Sequence, residues 1–212
     1  MDSKARIRKV VIAGGGTAGW IAAMALTHQF RDLLEVTLVE SEQIGTVGVG
    51  ESTVPPIRAF HRFVQIDEQE FLRAVAGTFK LSISFENWTR PGSRYIHPFG
   101  ITGQNTLTCA FHHFWLEAQR RGMESSLGDF CLETLASRED RFGLLQQPEV
   151  NYAYHFDAGL YARFLRKKAE ALGLKRVEGK IQQVRQAADG DVAALVLEDG
   201  QVIEGDLFID CT

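Results

Sequence analysis

Cysteine is scarce in this chain. Three residues, Cys109, Cys131 and Cys211, are scattered over 212 positions. An odd, dispersed set excludes a disulfide framework and fits thiols kept reduced in a cytoplasm, the expected location. The six histidines lack metal-ligand spacing. His112 and His113 are adjacent and would diverge on a helix, so no metal site is expected. No apolar run approaches the roughly 18 residues needed to span a bilayer. An excess of one charge sign is missing too. Lys and Arg number 23 against 27 Asp and Glu, a net charge of −4. Such a balance offers no field for DNA, RNA or anionic lipid, so neither nucleic acid nor membrane is an expected partner. Lys4, Arg6, Arg8 and Lys9 imitate the basic start of a signal peptide. Gly14-Gly15-Gly16 interrupts the apolar run behind them, so no such peptide is expected. There is no internal repeat and no low-complexity tract. What remains, 45% hydrophobic and 24% charged, is the composition of an ordinary globular protein.

The patterning that is present reads as α/β. Arg8 to Ala13 holds Val10, Val11 and Ile12 in succession, a buried strand. Thr17 to Arg31 predicts a helix and Leu34 to Glu40 a second strand, which together make a β–α–β unit. Ile44 to Pro56 is a Gly- and Pro-rich loop. Short helices are expected over 57–64 and 67–76, then an alternating strand from Thr78 to Trp88. Thr106 to Arg121 and Asp129 to Arg138 read as helices, Tyr152 to Phe156 as a strand, and Ala158 to Leu172 as an amphipathic helix stopped at Gly173. Val177 to Glu204 is a run of short strands with turn signals at Asp189-Gly190 and Asp199-Gly200. Asp206 to Cys211 is one more buried strand. An ending on a core strand suggests the front part of a longer protein.

Gly14-Gly15-Gly16-Thr17-Ala18-Gly19 satisfies G-x-G-x-x-G between a strand and a helix. The first glycine makes the tight turn, the second admits a pyrophosphate to the backbone, and the third lets helix and strand pack closely. The helix then offers its N-terminal N–H groups to the phosphates. Glu40 ends the second strand about 20 residues beyond Gly19, where an acid bonds the ribose hydroxyls and disfavours the extra phosphate of NADP. The order of elements, with a dinucleotide unit, a long excursion, a helix, a hairpin meander and a strand ending in Asp210, resembles the FAD domain of glutathione-reductase-like flavoproteins, aromatic hydroxylases among them.

Further motifs narrow the resemblance. Gly14-Gly-Gly-Thr-Ala-Gly-Trp20 resembles the opening of the flavin-dependent halogenases of the tryptophan-halogenase type. The loop Val47-Gly-Val-Gly-Glu-Ser-Thr-Val-Pro55 resembles that family's second signature. Thr78-Phe-Lys-Leu-Ser-Ile-Ser-Phe-Glu-Asn-Trp88 is similar to the segment carrying its catalytic lysine. Tyr95-Ile-His-Pro-Phe-Gly100 is similar to its substrate-facing aromatic segment, and Phe208-Ile-Asp-Cys211 to a family strand. The resemblance implies a Rossmann-type, glutathione-reductase-like FAD domain over 1–76 and 152–212. A substrate-side insertion would then occupy 77–151. The family's C-terminal half would be missing, and with it a W-x-W-x-I-P motif, a glutamate and the halide site. The isolated chain is therefore expected to be incomplete for catalysis.

By that resemblance the cofactor is FAD, held by Gly14, Gly16, Thr17, Ala18, Gly19, Glu40, Val49, Gly50, Glu51 and Ser52. It would arrive as FADH2 from a separate flavin reductase by diffusion, since the chain has no second nucleotide fingerprint. O2 and halide would be co-substrates. An electron-rich, indole-like small molecule would be halogenated between His97 and Phe99, with Lys80 handling hypohalous acid. Alternation alone puts Lys80 on the face of Ser82, Ser84 and Glu86, opposite Phe79, Leu81, Ile83 and Phe85, which reads as solvent-facing. The chemistry favours the opposite, because a buried ammonium offers three steerable donors and a lowered pKa. Glu51 reads as a loop residue near the flavin rather than a base, and Trp20, Trp88 and Trp115 as packing residues. Two alternatives stay open: a single-component flavin monooxygenase acting on an aromatic ring, and a truncated, non-catalytic FAD-binding fragment.

Overall fold

The computed structural model describes residues 6–44, 50–145 and 149–212. Strands along the chain are β1 (Lys9–Ala13), β2 (Glu35–Glu40), β3 (Gly50–Ser52), β4 (Thr78–Lys80), β5 (Ser82–Glu86), β6 (Arg94–Pro98), β7 (Ala153–Asp157), β8 (Lys175–Glu178), β9 (Ile181–Gln186), β10 (Val192–Leu197), β11 (Val202–Glu204) and β12 (Leu207–Asp210). Helices are α1 (Thr17–Phe30), α2 (Pro56–Phe63), α3 (Glu68–Ala74), α4 (Phe111–Arg120), α5 (Leu132–Arg138) and α6 (Ala158–Ala171). The chain divides into two compact units. One comprises residues 1–51, 60–77 and 156–212, the other 52–59 and 78–155.

The first unit is built on a four-stranded parallel sheet of order β12-β1-β2-β8. Val10, Val11 and Ile12 are all buried, as a strand covered on both faces requires. Helices α1 and α6 pack together. The antiparallel meander β9-β10-β11 adds a second layer. Val11, Val39 and Val177 of the parallel sheet meet Leu195, Leu197 and Ile203 of the meander in one apolar cluster. The first of the short strands expected from Val177 onward, β8, pairs in parallel with β2, Thr37 to Lys175 through Glu40 to Glu178, which brings Val177 into the sheet's apolar cluster.

Beside α6 lies an aromatic nest. Phe71 meets Phe156, Tyr161 and Phe164 edge-on. His61 is buried within it and shares a 2.9 Å hydrogen bond with the Tyr161 hydroxyl. Burial lowers the His61 pKa to about 4. Burial, with a smaller contribution from the Glu51 charge, raises that of Tyr161 above the ordinary phenol value.

In the second unit the strand expected from Thr78 to Trp88 is two strands. β4 pairs antiparallel with β7, Lys80 opposite Ala153. β5 pairs with β6, Ser82 opposite Pro98. The break falls at Leu81, whose side chain is buried while its carbonyl accepts from Phe99 N–H at 3.0 Å. The helix expected from Thr106 begins only at Phe111. Upstream, Asn105 Oδ1 accepts from Phe111 N–H and Thr106 Oγ1 from Cys109 N–H. These side chains hold the backbone in turns that compete with a helix. The helix expected from Asp129 starts at Leu132, after a 3₁₀ turn, Leu127–Phe130, closed by a Ser126–Asp129 capping box. Trp88, expected to pack, is 73% exposed and only edges onto Phe85.

Candidate functional site

Two groups of expected site residues occur in separate units. The first surrounds the fingerprint. Gly14 has φ +107°, a left-handed conformation that favours glycine. A Cβ there would collide with the Cys211 carbonyl, and one on Gly19 with the Gly14 carbonyl. These two glycines therefore serve the turn and the close approach of α1 to the sheet. A Cβ on Gly16 would meet nothing within 4 Å. That space is open, so the backbone there can be approached closely. Gly16 is also the N-cap of α1 and supplies no side-chain acceptor. The first-turn N–H groups thus present a positive, uncapped end.

A cavity of about 470 Å³ lies here. Its lining includes Gly14, Gly15, Gly16, Thr17, Glu40 and Glu51. Gly14, Gly16, Thr17, Glu40 and Glu51 were expected at a cofactor, and the fold brings them together. Ala18 and Ser52 are exposed and absent from this lining, as is Gly50; Gly19 is buried behind it. Val49 lies outside the described residues. An open Gly16, an uncapped helix end and a carboxylate at the tip of β2 suit a dinucleotide such as FAD.

Glu40 is more engaged than a sequence can suggest. Its Oε2 accepts from Trp20 Nε1 at 3.2 Å and its Oε1 from Arg176 Nε at 2.6 Å. Arg176 also donates to Glu42 at 3.1 Å and to Glu178. Burial opposes the Arg176 charge, but hydrogen bonds to and the charges of Glu40 and Glu178 outweigh it and raise its pKa above the ordinary arginine value. Trp20 was expected only to pack. It is buried, and its N–H has this second task.

The second group centres on Lys80, which alternation alone would place in solvent. It is instead 7% exposed. Its Nζ donates to the Thr53 carbonyl at 2.9 Å and lies 5.3 Å from the centre of the Phe99 ring. Burial lowers its pKa below the ordinary lysine value. His155 on β7 is lowered by burial and then by the Lys80 charge. Thr53 is held in turn by Tyr154: its N–H and its hydroxyl donate to the Tyr154 carbonyl at 3.0 and 2.9 Å, and its hydroxyl accepts from Tyr154 N–H at 3.0 Å. Phe99 is half-buried beside the ammonium, whereas His97 is exposed on β6. Sequence reasoning missed Thr53, although it sits inside the Gly50-Glu-Ser-Thr-Val-Pro55 motif. It also missed Arg176, for which no local signal exists. Among the described residues there is no cluster of His, Cys, Asp and Glu that could hold a metal ion. None of the helices there is long and apolar enough to cross a membrane.

The tryptophan halogenase family model matches residues 9–212. A tryptophan 6-halogenase of Streptomyces toxytricini is 36% identical over 96% of this chain and 43% of its own length. A solved flavin-dependent halogenase of Xanthomonas campestris superposes with a TM-score of 0.92 at 55% identity, over 97% of this chain and 42% of that one. Another from Brevundimonas sp. BAL3 gives a TM-score of 0.87 at 43% identity, with the same coverage. The chain spans less than half the length of these relatives. With a match running from β1 to its last residue, the chain belongs to the tryptophan halogenase family.

Proposed function

We propose that the whole protein is a flavin-dependent halogenase that uses reduced FAD, O2 and halide to halogenate an electron-rich, indole-like small molecule. The single observation that carries this reading is the buried Lys80 ammonium, held by the Thr53 carbonyl beside the Phe99 ring. A lysine whose only task was solubility would not be buried at a desolvation cost.

In this reading residues 1–76 and 152–212 form a glutathione-reductase-like FAD domain, and 77–151 a substrate-side insertion. The parallel sheet with its antiparallel meander supports the first assignment. Gly14, Gly16, Thr17, Gly19, Glu40 and Glu51 would hold FAD, and the same reading assigns Ala18, Val49, Gly50 and Ser52 to the cofactor. When bound and reduced, FAD supplies the two electrons that, with O2, halide and a proton, give hypohalous acid and water. A separate flavin reductase would supply FADH2 by diffusion.

The remaining work falls to the chain's own side chains. One Lys80 N–H is taken by the Thr53 carbonyl, which aims the other two. Those two donate to the oxygen of hypohalous acid and stabilise the charge that grows there as the halogen leaves. The aromatic ring, against Phe99 with His97 at the margin, attacks the halogen; the oxygen departs as water and the ring loses its proton. The lowered Lys80 pKa makes proton delivery to the departing oxygen easier.

Halide-dependent mass spectrometry of an indole panel with the whole protein, FAD and a flavin reductase tests the reading. Lys80→Met is expected to lower halogenation about 10²–10⁴-fold, the usual value of a positioned proton donor, and to leave FAD binding intact. Halogenation by Lys80→Met at the parent rate would refute it.

A further inference from the structure

The Glu40 carboxylate is the point where three distant elements converge. Trp20 arrives on α1, Glu40 ends β2, and Arg176 comes from β8, 136 residues further on. Each carboxylate oxygen is engaged once, by the indole N–H on one side and the guanidinium on the other. A carboxylate has about four acceptor positions, so two remain for a ligand. The pair therefore fixes the rotamer without exhausting the group. Gly15 bears on the same geometry. Built onto it, a Cβ would collide with the Glu40 carboxylate. The second residue of the fingerprint is thus a glycine here because the clamped carboxylate lies directly over it. The cavity wall at Gly15 and Glu40 is shared with the space lined by the fingerprint.

Charge supplies a second argument. Glu40 and Glu51 both line the cavity where a diphosphate would bind. Two carboxylates beside two phosphate charges repel unless compensated. Arg176 is bound to Glu40 at 2.6 Å, and Arg166 stands 3.9 Å from the same oxygen. Arg176 is itself steadied by Glu42 and Glu178. The guanidinium thus ties Glu40 into an ion-pair cluster with Glu42 and Glu178, fixes its carboxylate and offsets part of its charge.

We propose that Trp20 and Arg176 are positioning residues for the adenosine ribose of the cofactor: together they hold the Glu40 carboxylate in one rotamer over Gly15, where it accepts from the ribose hydroxyls, and the guanidinium offsets its charge beside the diphosphate. This rests on the reading that the cavity binds FAD. It accounts for the tryptophan that follows the fingerprint directly, and for an arginine on an edge strand that no nucleotide motif predicts.

The test is calorimetric titration of the whole protein with FAD, ADP and 2′,3′-dideoxy-ADP. Hydrogen bonds from hydroxyls to a fixed carboxylate should make the parent prefer ADP over the dideoxy compound by about 10–100-fold. Trp20→Phe, which loses the N–H but keeps an aromatic ring, and Arg176→Met should each reduce that preference to about threefold or less. Arg176→Lys, which keeps the charge and one donor at the sheet edge, should restore part of it and remains informative if Trp20→Phe folds poorly. A merely structural role would weaken both nucleotides together and leave their ratio unchanged, and that result overturns the inference. A parent that binds FAD yet treats ADP and its dideoxy counterpart alike overturns it too. A parent that binds neither FAD nor ADP overturns the cofactor reading itself.

Discussion

His61 sits in the aromatic nest of the first unit, 4% exposed, with Nε2 on the Tyr161 hydroxyl and its ring edge-on to Phe71 at 4.4 Å. Burial lowers its pKa from 6.5 to about 4, so the folded chain holds it neutral. Unfolding releases it to the ordinary histidine value. The unfolded state therefore binds more protons below pH 6.5, and stability falls as pH falls through that value toward 4. Above about pH 7.5 both states are neutral and the contribution is complete. By linkage, the difference between 6.5 and about 4 corresponds to about 3 kcal/mol once pH is well below 4. The same relation gives a loss of about 1 kcal/mol at pH 6 and about 2 kcal/mol at pH 5. The lowered carboxylates Asp129, Glu178, Asp206 and Asp210 lose their contributions only at more acid pH. His155 changes in the same direction as His61, so a variant is needed to separate the two. Urea unfolding at pH 8, 7, 6 and 5 should show the loss in the parent. His61→Gln should remove most of the slope, whatever its effect on absolute stability, and histidine ring-proton NMR should place one pKa near 4. Parallel stability profiles for parent and His61→Gln, or a His61 pKa near 6.5, would refute the reasoning.

The fingerprint glycines should separate by role. Gly14→Ala combines a left-handed φ with a collision at the Cys211 carbonyl, and should cost about 1–3 kcal/mol or more in urea unfolding. Gly16→Ala adds a methyl to open space, so unfolding should be little changed while FAD affinity falls at least about tenfold by fluorescence quenching. Equal effects of the two on stability would contradict the assignment. Thr53→Val removes the hydroxyl that Tyr154 N–H uses, and should cost about 1–3 kcal/mol, with most of it recovered in Thr53→Ser. Wild-type stability in the valine variant would show that Thr53 is not anchored as described.

Local rules made much of the first unit legible. A run of buried β-branched residues, a glycine-rich turn and an amphipathic helix each carry their structure in a few consecutive positions. The β–α–β unit, Glu40 at the end of β2 and the turns at Asp189-Gly190 and Asp199-Gly200 all lie where those patterns put them. The family motifs were legible for the same reason, as short ordered strings. Period-two alternation misled at Lys80, because the rule assumes one continuous strand and the chain breaks at Leu81. Lys80 is buried because the Thr53 carbonyl, 27 residues earlier, receives its ammonium. Polar turn contacts at Asn105 and Thr106 delayed α4, since hydrogen bonds from side chain to backbone compete with helical ones at a cost that composition does not show.

The amino-acid sequence by itself determined most of the elements, their α/β class, the family and the glycine turn, because those depend on neighbours within a few residues. Only the tertiary structure decided which distant groups share one atom's surroundings. Parallel pairing of β2 with β8 carries Arg176 to Glu40, and packing of α1 on the sheet turns Trp20 from filler into a donor. Such contacts arise from the close packing of elements far apart in the chain, and no local pattern encodes that.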